Sequence, residues 1–430
     1  MEYREVINYL YDMLPMYQKI GNAAFKKNLT NTRKLCKHLG QPQKTFKSIH
    51  VAGTNGKGSS SHMLAAILTK AGYNTGLYTS PHLKHFNERI KINGIPVTED
   101  YIVEFVESMK PVIEKIKPSF FELTVAMAFD YFSKGKVDFA VIEVGLGGRL
   151  DSTNVIKPEV ALITNISYDH QEMLGETLEE ISFEKGGVIK KHIPVIIGEK
   201  SPDSSRVFID LARKKKAPIV FASDNLEINQ IKQSDKELEI EVIAYDSNEK
   251  SRYVLGTPDL TQIKNIPGIL AVVDALRQQG FVISHGHVKD GLKWYQKDTG
   301  LKGRWQILST KPLTIADVAH NKAGLESTLG QLLNMKYHKL YFILGFVKEK
   351  DIGSILPLFP GNAHYIFCQA KVPRAMNAHW LSLKAALFGI NGQVIPDVNE
   401  ALHNVRKKAG DRDIIFIGGS TFVVAELNDL

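Results

Sequence analysis

The chain has 430 residues, of which 43% are hydrophobic and 23% charged, with a formal charge of +8. That composition excludes a disordered or fibrous protein and provides for two to three cores of ordinary size. The 54 Lys and Arg stand against 46 Asp and Glu without a continuous basic stripe, which favours small polyanionic ligands over nucleic acid.

The densest basic run, Arg213-Lys214-Lys215-Lys216, reads as a solvated helix end. Cys36 and Cys368 are the only cysteines and show no metal-ligand spacing, so a reducing, cytoplasmic compartment is expected, without disulfides or structural zinc. The start Met-Glu-Tyr-Arg-Glu has no apolar core and no later run approaches ~18 apolar residues, so neither export nor membrane insertion is expected.

In chain order, residues 1–47 predict two helices: one with Val6, Ile7, Leu10 and Leu14 on a face, then a polar loop at Gly21–Asn28, then one through Leu35 and Leu39. From 48 to about 200, strand-like runs at Ser48–Ala52, Thr75–Thr79, Phe139–Val144, Val160–Ile166 and Ile193–Ile197 alternate with helical patterns. Such alternation predicts a parallel sheet covered on both faces, with ligands gathering beyond the carboxyl ends of its strands. Short alternating runs at Leu238–Val242 and Arg252–Val254 predict an antiparallel addition, and Asn265–Leu276 returns to helix despite Pro267-Gly268. A linker is expected near 296–302, dividing the chain into domains 1–297 and 298–430. Leu313–Asp317, Lys339–Gly345, His364–Cys368 and Asp413–Gly418 predict the strands of a second, smaller α/β domain.

The stretch Gly53-Thr54-Asn55-Gly56-Lys57-Gly58-Ser59 lies between the first strand and a helix carrying Met63, Leu64, Ile67, Leu68 and Ala71. Glycines in a strand-to-helix turn let backbone N–H groups point at phosphate oxygens, while Lys57 supplies charge and Ser59 a hydroxyl for a metal ion. The common P-loop pattern would put glycine at Val51 and the hydroxyl at Gly58. Glu143 closes an apolar strand, so a cation is expected beside it, either a metal or Arg149. The glycine loop Gly145–Asn154 follows, and the next strand ends near Asp169 and His170. Ser80 follows the second strand, and this oxygen-rich set with one imidazole suits magnesium or manganese better than zinc. Lys185, just before Gly186-Gly187, reads on its own as the charge at a helix C-terminus. In the second domain, Asp317-Val318-Ala319-His320-Asn321 and Gly418-Gly419-Ser420 are both strand-end loops, readable as binding loops facing an interdomain cleft or as capping turns.

Together these motifs, with Thr79-Ser80-Pro81-His82, Phe86-Asn87-Glu88-Arg89-Ile90 and Glu184-Lys185, resemble the folylpolyglutamate and dihydrofolate synthases of the Mur ligase family. The resemblance implies an α/β fold in which a P-loop mononucleotide-binding parallel-sheet domain precedes a smaller Rossmann-like α/β domain. It implies ATP-dependent ligation of L-glutamate to dihydropteroate or to the glutamate tail of a reduced folate through an acyl phosphate, in a cytoplasmic monomer. Ser59, Ser80, Glu143, His170 and a carbamylated Lys185 would then hold Mg2+ or Mn2+, with K+ as a further ion. Lys57, Lys185 and His170 would be the catalytic set. Gly53 to Ser59, Asn265, Arg304 and Asp317 would contact ATP. Phe121, Thr124 and Asp151 would serve the pterin substrate, His320 and Ser420 the glutamate, and Arg149 of the glycine loop would also bind substrate. The chain departs from the family at Val318 and Lys322, where glycine and proline are usual, and at Thr261. A cell-wall precursor ligase and a regulatory P-loop module are the alternatives. The first lacks room here, with only about 47 residues before the P-loop strand, and the second has no need of Glu143, His170 and Lys185 together.

Overall fold

The computed structural model describes residues 2–15 and 28–430, so the loop expected at Gly21–Asn28 lies, but for its last residue, outside the described residues. The chain divides into two compact units, Met1–Thr257 with Gln262–Leu301, and Pro258–Thr261 with Lys302–Leu430.

The first unit is built on an eight-stranded sheet: β1 (Lys47–Ala52), β2 (Thr75–Tyr78), β3 (Ile90–Ile92), β4 (Ile95–Pro96), β5 (Phe139–Glu143), β6 (Val160–Ile163), β7 (Val195–Ile197) and β8 (Ile219–Phe221). Its order is β4-β3-β2-β5-β1-β6-β7-β8, with β2, β5, β1, β6, β7 and β8 parallel and β3 antiparallel to β2. The central strands are buried along their length, which is why they read as unbroken apolar runs. Register sets the site: Val51 pairs with Glu143, Ala52 with Ile163 and Tyr78 with Ile142, so the loops after β2, β5, β1 and β6 leave one sheet edge together.

The N-terminal helix Tyr3–Met13 buries Val6 and Leu10, and the helix Thr30–His38 buries Leu35, as their spacing predicted. The helix Pro202–Lys215 ends in the solvated basic run. The segment near 296–302 differs from the expected linker. Gly300 ends the helix His285–Thr299 in a left-handed turn, and Tyr295 is fully buried. The polar surface of that last turn disguised it. A Cβ at Gly291 would lie 2.6 Å from Ile67 Cα, so this helix rests directly on the helix Lys57–Lys70. Covered by sheet on one side and helix on the other, Lys57–Lys70 is buried from Ser59 to Leu68. The strands β9 (Leu226–Gln233), β10 (Leu238–Ala244) and β11 (Lys250–Leu255) form the antiparallel addition.

The second unit has six strands: β12 (Gln306–Thr310), β13 (Leu313–Ala316), β14 (Leu340–Leu344), β15 (His364–Phe367), β16 (Gly392–Val394) and β17 (Ile414–Gly418). Their order is β12-β13-β17-β14-β15-β16, all parallel except the edge strand β12. Phe342, Leu344, Phe367 and Phe416 fill its core with Leu325 and Leu332 of the helix Lys322–Leu333.

Candidate active site

Gly53 has φ +138°, and a Cβ there would lie 1.9 Å from Thr164 Oγ1; Gly56 has φ +79° and would collide with Asn265 Oδ1 at 2.2 Å. Only glycine fits both, and the turn they make delivers the chain into the helix that starts at Lys57. The loop is held from β6. Thr164 Oγ1 donates to Asn55 O (2.6 Å), Asn165 Nδ2 donates to the same carbonyl (3.0 Å), and Asn165 Oδ1 accepts from Asn55 N (3.1 Å). Thr54 Oγ1 accepts from Ser167 N (3.0 Å) and donates to Ser167 O (3.1 Å). Thr164–Ser167, expected as the end of a strand, instead leave β6 after Ile163 and grip the loop. The signal was a polar run directly after an apolar one.

Lys57 Nζ donates to the carbonyls of Gly53 (3.0 Å) and Thr54 (2.9 Å). Lys185 Nζ donates to Gly53 O as well (2.8 Å), from a residue that is 4% exposed. Burial, then the Lys57 charge, pulls the Lys185 amine down to about 7, and Asp169 opposes them. Lys185 is therefore no solvated helix end, and near pH 7 much of it is the neutral, nucleophilic amine. The helix Leu178–Gly186 brings it there, and the loop helps: a Cβ at Gly148 would lie 2.7 Å from Lys185 O.

Glu143 is buried at the end of β5, and its Oε2 accepts from Ser80 N (3.0 Å). The cation expected beside it is not Arg149, which forks onto Glu184 at 2.7 to 3.3 Å and stands over the Phe183 ring. Glu184 follows Arg149 closely in space because Arg149 N bonds Glu184 O (2.7 Å). The arginine near Glu143 is Arg89, 3% exposed, which donates from Nε to His82 Nδ1 (2.7 Å) and lies 5.3 Å from the Phe120 ring centroid. Burial pulls the Arg89 guanidinium down, while Tyr78, Tyr11 and Glu143 hold it up.

His170 adopts φ +52° at the head of the short helix Gln171–Leu174, with Nε2 3.8 Å from Asp169 Oδ2. Ser59 is 2% exposed in the first turn after the loop. Asn265, at the start of the helix Ile266–Gln278, lies against Gly56 and donates from Nδ2 to Gln262 Oε1 (2.9 Å). Among the described residues no three His, Cys, Asp or Glu side chains are grouped to hold a metal unaided. The hard oxygens and single imidazole at this edge fit a cation of the magnesium class, which takes few protein ligands and completes its shell with phosphate and water.

Phe121 lies on the glycine loop, its Cζ 2.4 Å from where a Gly145 Cβ would stand. Asp151 is buried and braces the same loop, accepting from Leu146 N (2.8 Å), Thr153 N (2.9 Å) and Thr153 Oγ1 (2.5 Å). Thr124 is 2% exposed, and its hydroxyl donates to Phe120 O one turn back (2.7 Å).

In the second unit, Asp317 N donates to Ile417 O (3.0 Å), so the loops after β13 and β17 sit side by side. The buried Asp317 carboxylate accepts from Trp305 N and Ala319 N, both at 2.7 Å. Burial, then Asp259, raises it to about 6, and Arg304 works in the other direction. His320 Nδ1 donates to Val318 O (2.9 Å), and Ser420 Oγ caps Phe422 N (3.2 Å). Val318 is not among the positive-φ residues, so its position does not need glycine, and Lys322 opens a helix already capped by Asn321.

Compared with known proteins, residues 51–273 match the Mur ligase middle domain and residues 303–421 the Mur ligase glutamate ligase domain. The dihydrofolate synthase/folylpolyglutamate synthase of Bacillus subtilis (strain 168) is 31% identical over 416 residues, 94% of this chain and 94% of that one. The solved structure of Escherichia coli FolC in complex with DHPP and ADP is similar at a TM-score of 0.83 and 27% identity, covering 99% of this chain and 96% of the other. The bifunctional folylpolyglutamate synthase/dihydrofolate synthase from Yersinia pestis, complexed with AMPPNP and Mn ion, gives 0.82 and 27%, covering 99% and 97%.

Proposed function

The chain belongs to the Mur ligase family, among the dihydrofolate synthase/folylpolyglutamate synthases, and from that premise we propose how its strand-end residues divide the work of an ATP-dependent glutamate ligase. The enzyme joins L-glutamate to dihydropteroate and to the glutamate tail of reduced folates, forming ADP and phosphate. The γ-phosphoryl group of ATP passes to the acceptor carboxylate, and the glutamate amine then displaces phosphate from the acyl phosphate. No covalent protein nucleophile is required, so orientation and charge placement supply the acceleration.

Gly53 to Ser59 cradle the phosphates with backbone N–H groups, and Lys57 turns its ammonium from the loop carbonyls to the phosphoryl oxygens. Asn265 reaches the nucleotide from its place over Gly56, a role its contact with the loop supports. Lys185 takes up CO2: its neutral nitrogen bonds the carbon and a proton leaves, so a cation that repels metal becomes an anionic oxygen ligand. Ser59, Ser80, Glu143, His170 and that carbamate are the groups that would hold Mg2+ or Mn2+, and the bound ion neutralises charge on the phosphate oxygens. His170 belongs to this set through its imidazole. The first unit, which ends at Leu301 and not at the expected 297, is thus the ATP-binding part, and the second, Lys302–Leu430 with Pro258–Thr261, the glutamate-ligase part. Arg304 and Asp317 assist the nucleotide, and His320 and Ser420 the glutamate. Phe121 and Asp151 shape the pterin side through the glycine loop, with Thr124 behind them and Arg149 at its exposed rim.

The observation that carries this reading is the Gly53 carbonyl, where the Lys57 and Lys185 side chains meet at 3.0 and 2.8 Å. The test is ADP release from purified protein with ATP, Mg2+, glutamate and each acceptor in turn. Release that requires glutamate together with either dihydropteroate or a reduced folate is expected. Release without glutamate contradicts the reading, and activity with one acceptor alone removes the double specificity.

A further inference from the structure

We propose that His50 and Thr153 are positioning residues for the pterin acceptor, holding the Asp151 carboxylate and the glycine loop packed on Phe121 in the orientation that receives the substrate, a role that rests on the pterin-side reading of Phe121 and Asp151. Three buried groups form a line into that loop. His50 in β1 and Thr153 are fully buried, and Asp151 is 2% exposed. His50 Nε2 lies 2.9 Å from Thr153 Oγ1, which lies 2.5 Å from Asp151 Oδ1. A hydroxyl has one proton to give. Asp151 Oδ1 accepts from Thr153 N (2.9 Å) and Oδ2 from Leu146 N (2.8 Å), so both carboxylate oxygens are acceptors and the Thr153 hydroxyl proton goes to Oδ1. Thr153 Oγ1 therefore accepts from His50, whose proton sits on Nε2. The opposite tautomer would take the Thr153 proton from Asp151 and bury an Nδ1–H at an atom with no hydrogen-bond partner among the described residues. A doubly protonated ring is opposed by burial, then by the Lys190 charge. Every proton in the line points toward Asp151.

Burial raises the Asp151 carboxyl, while the Thr153 hydroxyl and then the amides of Leu146, Thr153 and Gly145 hold it down. The same carboxylate thus fastens Gly145 and Leu146, and Phe121 rests on Gly145, its Cζ 2.4 Å from the place of a Cβ. Removing the His50 donor leaves a buried lone pair on Thr153 Oγ1 and weakens the bond to Asp151, since hydrogen bonds in a chain polarise one another. The backbone pairing of β1 with β5 and β6, which carries the P-loop, stays in place. The nucleotide side keeps its support.

Two measurements on the purified full chain test this: steady-state ADP release with dihydropteroate as acceptor, and amide hydrogen exchange across residues 145–154. His50→Leu removes the donor and His50→Gln retains one; Thr153→Val and Thr153→Ser make the same contrast if His50→Leu does not fold. In His50→Leu and Thr153→Val, KM for dihydropteroate should rise about fivefold, the scale of one buried hydrogen bond, with KM for ATP and for glutamate unchanged. The amides of Gly145 and Leu146 should exchange faster in both. His50→Gln and Thr153→Ser should restore KM and exchange together. Exchange at the wild-type rate in His50→Leu and Thr153→Val overturns the proposal and leaves the pterin-side reading standing. Faster exchange with an unmoved KM for dihydropteroate overturns it by removing that reading. An equal rise in all three KM values overturns it in favour of a merely structural role.

Discussion

His50 shows how one buried side chain in β1 shapes the response to pH. It is fully buried, its Nε2 lies 2.9 Å from Thr153 Oγ1, and burial together with the Lys190 charge pulls it from 6.5 down to about 3. Between those values the unfolded chain holds a proton that the folded chain refuses. Stability therefore falls as pH drops below 6.5, by up to about 1.4 kcal/mol per pH unit from this residue. A His50→Gln variant should lose about 2 kcal/mol less than wild type between pH 7.5 and 5 in urea unfolding; equal losses would show that His50 is not the group responsible. Other residues were less legible in sequence. Lys185 alone reads as a helix-end charge, and only its place in a set of family motifs made it a site residue. Arg149 stands six residues from Glu143 in sequence, yet it belongs to Glu184 because the glycine loop turns back onto the helix Leu178–Gly186. Arg89 was visible within its motif but carried no sign of its burial.

The phosphate loop acts as one element with the polar end of β6. Thr164→Val keeps the shape of the side chain and removes its bond to Asn55 O, worth about 1 kcal/mol, so KM for ATP should rise roughly fivefold with KM for the folate acceptor unchanged. Equal rises in both constants would contradict a role confined to the loop. Gly53→Ala forces a Cβ against Thr164 Oγ1 at a φ of +138° and should lower ATP affinity more than Thr164→Val does; a smaller effect would show that the loop can rearrange freely. At this scale the sequence was informative where burial made it so. The central strands β1, β5 and β6 lie within apolar runs, whereas β3, β4, β8 and β16 have two to three residues each and offer no period to detect. The exposed β9 left no such signal, since six of its eight residues, Glu227 and the run from Asn229 to Gln233, are exposed.

Across the whole molecule, family membership and the geometry of the P-loop edge lead to the same chemistry by separate routes. The two α/β sheets were legible because parallel strands buried on both faces leave long apolar runs, and because their polar ends interrupt those runs abruptly. Pro258–Thr261, which belongs to the second unit while its neighbours belong to the first, left no mark in the sequence. Its attachment rests on Gln331, which donates to Pro258 O (2.9 Å) and accepts from Leu260 N (2.8 Å), contacts with a residue 73 and 71 positions away. The central claim, that ligation depends on an anionic ligand made from Lys185 beside the Gly53 carbonyl, is tested most directly by ADP release in a Lys185→Ala variant with an unchanged melting profile. A fall of roughly 10²-fold to 10³-fold, the scale of losing one charge-stabilising group, is the result expected. Turnover at the wild-type rate would contradict it.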